Sequence, residues 1–381
     1  MRNTVITGVC LALSLGAPQA YAQLAVSSND HKIVQENGVN RNLPNPPPDT
    51  VTIMDLGALP VKVVGTVSNV PGSVVGPPLS VAITPDESIA LIASSSKIDP
   101  ADPTKLVPDD RVTVIDLKDR KILGTLNTGP GAAGISITKD GKRAYVANRM
   151  AGSISILSID GKDVKLVKTV PLMDAKTLLS HLAVSPDGAT GVATRNGDAK
   201  VELMKLGGDN ITSSSVLDVA PRPYAVSVTP DSKTAVVARP GDPKANGILT
   251  VIDLATGKIV GTTDIGHENL EGMMMSSDGR WIAAVAHAGS TRPKDAPQFK
   301  PNGMVVLYKL DGTGLTKTGE APIGGWSQGA SFSRDGSAIV VQNMNEKNLQ
   351  VFKNDNGKLT DTGQKIDVGG GAAAVRSSTD R

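Results

Sequence analysis

The segment His181-Leu-Ala-Val-Ser-Pro-Asp-Gly188 decides the fold, because it recurs along the chain with little change. It combines a short strand of alternating residues with Ser or Thr, one variable residue, Asp and often Gly. Pro sets φ for a type I turn, Asp bonds its own backbone, and Gly accepts the left-handed position that follows. Each copy therefore predicts a strand and a tight turn. The copies occupy residues 80–86, 134–141, 181–188, 225–231, 272–279 and 329–336.

The spacing of these copies predicts one propeller blade per repeat. The turn aspartates at positions 86, 140, 187, 231, 278 and 335 are 44 to 57 residues apart, a period typical of four-stranded blades. A third strand follows each copy, as at residues 249–253, and a hairpin leads to a fourth, as at 258–262. We call the strands a to d in chain order. A linear stack of sheets is the alternative architecture.

The two ends of the chain predict a seventh blade. Residues 373–380 form one more strand a with its turn, and strands b to d are predicted at residues 24–28, 50–55 and 62–66. A blade shared by both ends closes the ring and leaves no open sheet edge. The sequence therefore predicts an all-β, seven-bladed β-propeller with four-stranded antiparallel blades, formed by residues 23–381 as one domain.

Residues 1–22 have the composition of a secretory signal peptide. Arg2 supplies a positive charge, residues 5–15 are apolar but too short to span a bilayer, and Ala20-Tyr-Ala22 is a small-x-small cleavage site. Cleavage before Gln23 would also remove the single cysteine, and with it any thiol chemistry. We therefore expect export to the periplasm or the exterior. A buried N-terminal helix is the alternative.

Composition argues against several classes of partner. Lys and Arg number 39 against 37 Asp and Glu, and only 2% of the residues are aromatic. The chain thus lacks the cationic surface and stacking platforms that nucleic acids need. After the signal no stretch is apolar enough to span a membrane. No cofactor is predicted, because the chain has no Cys-x-x-Cys-His motif and its glycine runs lack the context of phosphate loops.

Three segments resemble the YVTN-repeat and lactonase-type seven-bladed propellers. Residues 143–148, Arg-Ala-Tyr-Val-Ala-Asn, are similar to the repeat core of this family, as are residues 246–258, whereas residues 349–359 are closer to the lactonase-type version. The resemblance covers essentially the whole mature chain and implies the propeller fold. The family includes sugar-lactone hydrolases, surface proteins and periplasmic propellers, so it implies hydrolysis as one activity and binding as another.

Topology places the candidate site on one face of the ring. The d–a and b–c connections reach the same rim of the central channel, where ligands of propellers collect. The three longest b–c connections, residues 29–49, 95–110 and 288–302, are rich in proline and lie on this face. We expect them to form a semi-rigid lid; ordinary solvated loops are the alternative.

Seven rim residues are candidates for ligand binding. The position eight residues after each turn Asp marks the end of strand b, and the d–a connections add further polar residues, among them Arg222. The planar guanidinium group of arginine donates two parallel hydrogen bonds, which match the geometry of a small anionic ligand. Charges paired between blades are the alternative. The candidates are Asn148, His181, Arg195, Tyr224, Arg239, Gln328 and Asn343.

Three further residues are candidates for acid–base catalysis. His267 and His287 flank one repeat, and His267 and Glu268 are predicted in the d–a loop that leads to Glu271 at the start of a strand a. An imidazole beside a carboxylate can exchange protons near neutral pH. Structural or solvent-facing histidines are the alternative. No metal site is predicted, because the histidines lack zinc spacing and nothing makes Glu271 converge with Asn148 and Asn343 on calcium.

Two functions follow. The first is an exported, monomeric binding or scaffold module for a small anionic molecule or a periplasmic protein. The second is a hydrolase that opens a sugar lactone, with water activated by His267 or His287 and the oxyanion held by Arg195 or Arg239. The sequence favours the binding module. Lactonase-type members have a histidine before several of their strands a, whereas this chain has one only at His181. A redox partner of a periplasmic dehydrogenase is a third function, for which no cofactor-attachment motif exists.

Overall fold

The computed structural model describes residues 23–241 and 245–380, which form a ring of seven four-stranded antiparallel sheets. The predicted signal peptide, residues 1–22, lies outside the described residues. The predicted all-β, seven-bladed propeller is confirmed. In each blade strand a lines the central channel and strand d lies outermost, as the sheet orders require.

The strands follow the predicted repeat. Blades 1 to 3 contain, from a to d, Val81–Ile83, Ile89–Ala93, Arg111–Asp116 and Lys121–Asn127; Ala132–Ile137, Arg143–Asn148, Ser153–Asp160 and Asp163–Pro171; and Leu179–Val184, Thr190–Arg195, Lys200–Gly207 and Asn210–Asp218. Blades 4 to 6 contain Val226–Val228, Thr234–Arg239, Asn246–Asp253 and Lys258–Glu268; Leu270–Met275, Trp281–Ala286, Gly303–Asp311 and Gly314–Ile323; and Ser327–Phe332, Ala338–Asn343, Asn348–Asp355 and Lys358–Asp367.

Blade 7 joins the two ends of the chain. Its strand a is Gly371–Ser377, and its strands b to d are Leu24–Asp30, Thr50–Asp55 and Lys62–Ser68. Strands a and b pair antiparallel from Ala25 opposite Ser377 to Asp30 opposite Gly371, and every residue of this strand a is buried. The predicted closure of the ring by both ends is therefore present.

Few elements lie outside the blades. Two hairpins pair Ile33–Glu36 with Val39–Asn42 and Ser96–Ile98 with Leu106–Pro108. The helix in the described ranges is a 3-10 turn, Ala175–Thr177. No helix within residues 23–241 and 245–380 is long and apolar enough to cross a membrane.

The a–b turns form as the repeated motif predicts. In blade 3 the Asp187 carboxylate accepts a hydrogen bond from the Ala189 backbone at 3.0 Å and one from the Ser185 hydroxyl at 2.5 Å. Gly188 follows with φ 74°, a left-handed conformation that strains a residue with a Cβ. These turns lie on the face opposite the d–a and b–c connections, so the motif that defines the fold stays clear of the candidate site.

The hydrophobic core lies between neighbouring blades. Leu91 and Val112 of blade 1 pack with Ile135 and Val146 of blade 2, and each of these side chains is buried. The strand d of blade 1, Lys121–Asn127, is by contrast almost entirely exposed. Burial thus concentrates on strands a to c, which gives the channel rim a rigid support.

Candidate functional site

The long b–c loop of blade 7 contacts the long b–c loops of blades 1 and 5, as the predicted lid requires. The Asn42 amide, on the loop of blade 7, donates to the carbonyls of Pro103 and Lys105 of blade 1 at 3.1 and 3.2 Å. The backbone NH of Lys294, on the loop of blade 5, donates to Asn37 at 2.7 Å. The lid (residues 29–49, 95–110 and 288–302) is therefore one connected layer.

Buried contacts hold the lid to the ring. Lys32 lies between the carboxylates of Asp30 and Asp49, at 3.1 and 2.7 Å, and all three side chains are largely buried. Asp30 also accepts a hydrogen bond from the Val74 backbone at 2.9 Å. Burial raises the pKa of Asp30, and the Lys32 ammonium opposes this rise. Because these charged groups pair with one another, they hold the base of the loop in place and are not available to bind a ligand.

Beside the lid, the rim brings together five side chains from three blades and their connections. We call them the rim cluster: Arg149, Arg222, Tyr224, Glu271 and His287. The Arg149 guanidinium lies 5.8 Å from the centre of the Tyr224 ring, and His287 Nε2 lies 4.0 Å from Glu271 Oε2. The charges of Arg222 and Arg149 both act on Glu271. Three of the ten candidates, Tyr224, Glu271 and His287, thus lie together.

Glu271 is the titratable centre of the rim cluster. It follows Leu270 at the start of strand a of blade 5, where the side chain is 15% exposed. Burial raises the pKa of Glu271 to about 7, and the guanidinium groups of Arg222 and Arg149 limit the rise. Near neutral pH this carboxyl is therefore present in both protonation states, as a general base or acid requires.

His287 is neutral at this position. Its side chain is 4% exposed, and burial lowers the pKa of His287 to about 4, although a backbone contact with Ser327 and the charge of Glu268 oppose the change. Nδ1 lies 2.5 Å from the amide nitrogen of Asn269. Nε2 has no hydrogen-bond partner within the described ranges.

The two arginines of the rim cluster are held by neutral oxygen atoms. Arg149 donates to the Leu178 carbonyl and to the Asn196 side chain, each at 3.1 Å, and contacts the Ser180 hydroxyl. Arg222 donates to the Gly241 carbonyl at 2.7 Å. Because these partners do not neutralise the guanidinium groups, the rim keeps positive charge that favours an anionic ligand.

Tyr224 adds a protonated hydroxyl to the same surface. Burial raises the pKa of Tyr224 above its ordinary value, and the nearby Glu271 charge acts in the same direction. The phenol therefore keeps its proton throughout the physiological pH range and can act as a hydrogen-bond donor.

Several predicted binding residues are engaged in the scaffold instead. Arg195 pairs with Asp198 and with Glu202, the latter at 2.9 Å. Asn343 accepts from the Gly324 backbone at 2.8 Å, a bond that holds the d–a connection of blade 6. These contacts leave neither side chain directed to a ligand.

The other predicted binding residues are buried. Burial lowers the pKa of His181, with Arg376 next in effect, and its Nε2 lies 3.0 Å from the Ser136 hydroxyl inside the channel. The remaining three are buried with backbone or hydroxyl partners. They are Asn148 with Ser153 and Ser155, Gln328 with the Trp326 carbonyl, and Arg239 with the Ala220 carbonyl.

His267 departs from its expected place. The sequence puts His267 and Glu268 in a d–a loop, whereas strand d of blade 4 continues through both as Lys258–Glu268. His267 Nε2 contacts Glu320 on strand d of blade 5 at 2.8 Å. The reason is a bulge in this strand around Gly266, whose φ is 78°. The imidazole therefore faces the outer strands, and the expected partnership with Glu271 is not formed.

Arg149 is not among the site residues that the sequence predicts. It directly follows Asn148, the last residue of strand b in blade 2, and its side chain reaches across to blade 3 and to Tyr224. Its position in the sequence could have identified it, because the residue that follows each strand b also faces the rim.

The comparisons with known proteins agree with this architecture. The family described as "Lactonase, 7-bladed beta-propeller" matches residues 109–230, and no curated protein matches the chain. The predicted resemblance to lactonase-type propellers is confirmed over these residues, and the seven-bladed fold over the described chain.

Solved structures with the same fold include lactonases. The periplasmic gluconolactonase of Pseudomonas aeruginosa aligns with a TM-score of 0.68 and 17% identity over 93% of this chain and 98% of its own. A proposed 6-phosphogluconolactonase from Bacteroides fragilis aligns with a TM-score of 0.68 and 16% identity over 95% and 99%. Hydrazine synthase of Kuenenia stuttgartiensis aligns with a TM-score of 0.61 and 18% identity over 81% and 91%. At these identities the likeness concerns the fold.

Proposed function

We propose that this chain, a propeller of the lactonase type, hydrolyses a lactone that carries an anionic group. The observation that carries the proposal is the position of Glu271, a mostly buried carboxyl with a pKa of about 7 that lies 4.0 Å from a neutral imidazole and within the field of two guanidinium groups. One structural neighbour is described as a periplasmic gluconolactonase and another as a proposed 6-phosphogluconolactonase, which supports the same reaction class.

The rim cluster has the groups that lactone hydrolysis needs. Ionised Glu271 takes a proton from a water molecule as the water oxygen bonds to the lactone carbonyl carbon. The oxyanion that develops lies in the field of Arg149 and Arg222. When the bond from this carbon to the ring oxygen breaks, Glu271 returns the proton to that oxygen. One water is consumed and a hydroxy acid leaves.

This proposal replaces the binding module that the sequence favours. A non-catalytic module needs the arginines but gives no reason for a carboxyl of raised pKa beside them. Within the hydrolase hypothesis, the base and the groups that stabilise the oxyanion are also different residues from those that the sequence predicts. Glu271 takes the place of His267 as the base, and Arg149 and Arg222 take the place of Arg195, because His267 and Arg195 are held by other side chains.

The rate of lactone hydrolysis should rise with pH up to about pH 7 and then level off. Glu271 must be ionised to act as a base, and its pKa of about 7 means that acid inactivates it progressively. We would measure kcat/KM for glucono-1,5-lactone and its 6-phosphate from pH 5 to 9, after subtraction of the reaction in buffer alone.

The phosphorylated lactone should have the higher kcat/KM, and this preference should decrease as salt screens the arginines. A rate above buffer that does not depend on pH would exclude Glu271 as the base. No rate above buffer with either lactone, nor with other carboxylated lactones, would contradict the proposed function.

We also infer that the chain acts outside the cytoplasm, as a monomer, after removal of residues 1–22. In support, the main-chain nitrogen of Gln23 lies 2.9 Å from the Asp55 carboxylate, a contact that a free amino terminus would strengthen. Mass spectrometry of protein isolated from the periplasm of an expression host should give a chain that begins at Gln23. A chain that keeps residues 1–22 there would contradict the inference.

A further inference from the structure

Two contacts of the His287 ring bear on which nitrogen carries the proton: Asn269 turns its amide nitrogen, rather than its amide oxygen, toward the ring, and the Ser327 backbone also contacts it. The amide nitrogen of Asn269 lies 2.5 Å from Nδ1 of His287. A carboxamide NH2 group only donates hydrogen bonds, so Nδ1 is the acceptor and has no proton. A neutral imidazole then carries its single proton on the other nitrogen. The ring therefore presents an Nε2–H group.

The backbone keeps these two side chains in register. His287 donates its backbone NH to the Asn269 carbonyl at 3.0 Å, and Ala288 donates to the Glu268 carbonyl at 3.1 Å. Asn269 has φ 57°, in the left-handed region that asparagine tolerates better than most residues. The Glu268 carboxylate binds Arg292 of the lid at 2.6 and 2.5 Å. The position of Asn269 is thus fixed by its backbone contact with His287 and by the ion pair of its neighbour Glu268 with Arg292.

The choice of tautomer acts on Glu271. Nε2 lies 4.0 Å from Glu271 Oε2, and the remaining charged groups that act on this carboxyl are Arg149 and Arg222. An N–H group that faces the carboxyl favours its ionised form, whereas a lone pair would attract and retain the proton of the acid form. The Nε2–H tautomer therefore keeps Glu271 available as a base.

We propose that Asn269 is a positioning residue that fixes the Nε2–H tautomer of His287 and so maintains Glu271 in its ionised form. The catalytic consequence rests on the proposed function. The tautomer itself can be observed without any substrate, so the two proposals can fail separately.

The direct test is the 15N NMR spectrum of the imidazole rings. The chain has four histidines, so the spectrum is simple, and His287→Gln identifies the signals of His287. At pH 7.5 we expect the pattern of the Nε2–H tautomer in the unaltered protein. A pattern of the Nδ1–H tautomer, or of a charged ring, would overturn the proposal without any further variant.

Asn269→Gly tests the cause of this tautomer. Glycine adopts the same left-handed backbone without strain, so the variant removes the amide and little else. The matched control is Asn356→Gly, at an exposed hairpin turn with φ 48° on the opposite face. Asn269→Gly should show a mixture of both tautomers, whereas the control should match the unaltered protein. An unchanged tautomer in Asn269→Gly would show that Asn269 does not fix it.

The same variant has a kinetic readout. Loss of a pure Nε2–H tautomer should raise the pKa that governs kcat/KM by roughly half a unit to one unit, which lowers the rate below pH 7 by about 3–10-fold. At pH 9, where Glu271 is ionised in either case, the rate should approach that of the control. A uniform loss at all pH values, with an unchanged pKa, would indicate a structural role and contradict positioning.

Discussion

Glu271→Gln should lower kcat for lactone hydrolysis by about 10²–10⁴-fold, the usual effect of removing a positioned general base. Glutamine has nearly the same shape and keeps the contacts of the buried site, but its amide cannot accept a proton from water. The measurement is the rate with glucono-1,5-lactone 6-phosphate at pH 8, with the reaction in buffer subtracted. Full activity in this variant would exclude the mechanism.

The same substitution should raise the melting temperature, and more at pH 8 than at pH 5. Burial raises the pKa of Glu271 from its ordinary 4.5 to about 7, so the folded chain binds a proton more tightly than the unfolded chain. The free energy of unfolding therefore falls as pH rises through this range, and glutamine removes the penalty. The gain at pH 8 should be on the order of 2–3 kcal/mol, and at pH 5 it should be small.

His267→Gln is the matched control for both measurements. Its imidazole contacts Glu320 on the outer strands at 2.8 Å, so its loss should leave turnover unchanged. The expected cost in stability is that of one partly exposed side-chain hydrogen bond, about 0.5–1.5 kcal/mol. A large loss of activity in His267→Gln would return this histidine to the site and contradict its placement on the outer strands.

Deletion of residues 373–381 should destabilise the whole ring. The strand Gly371–Ser377 is buried along its length and pairs with Leu24–Asp30, so the deletion removes several backbone hydrogen bonds, each worth about 0.5–1.5 kcal/mol. It also removes the burial of Ala374 and Val375 between blades. We expect the free energy of unfolding to fall by about 5 kcal/mol or more.

Thermal denaturation and size-exclusion chromatography would test this closure. The truncated chain should melt at lower temperature and associate, because strand b of blade 7 becomes an open edge. A synthetic peptide of residues 370–381 should restore part of the lost stability, whereas a peptide of the same composition in scrambled order should not. A truncated chain that melts with the intact one would contradict closure by the C-terminal strand.

The fold could be predicted because its signals are local. Pro, Asp and Gly act within one turn, so each copy of the motif places a strand on either side of it. Counting eight residues from the turn Asp correctly locates the last residue of strand b at Asn148, Arg195, Arg239 and Asn343. In blade 1 the strand ends one residue earlier, at Ala93.

The site could be predicted only in part, because its partners come from different blades. The sequence locates Glu271 and His287 on the rim, since each lies at a fixed distance from a turn. Arg149 reaches them from blade 2, and no local rule relates it to blade 5. The sequence also cannot show that Arg195 is neutralised by Glu202, a pairing that depends on the register of two strands.

The lid makes the site one-sided. Its loops belong to blades 7, 1 and 5, whereas the b–c connections of blades 2 and 3, residues 149–152 and 196–199, are short turns that leave the rim uncovered. On the proposed function, we expect the lactone to reach the rim cluster from the side of blades 2 and 3, and any group beyond the lactone ring to extend back in that direction. If the proposed function is right, the lid should limit the length of the substrate on its own side only, so a lactone at the end of a longer molecule should also be hydrolysed.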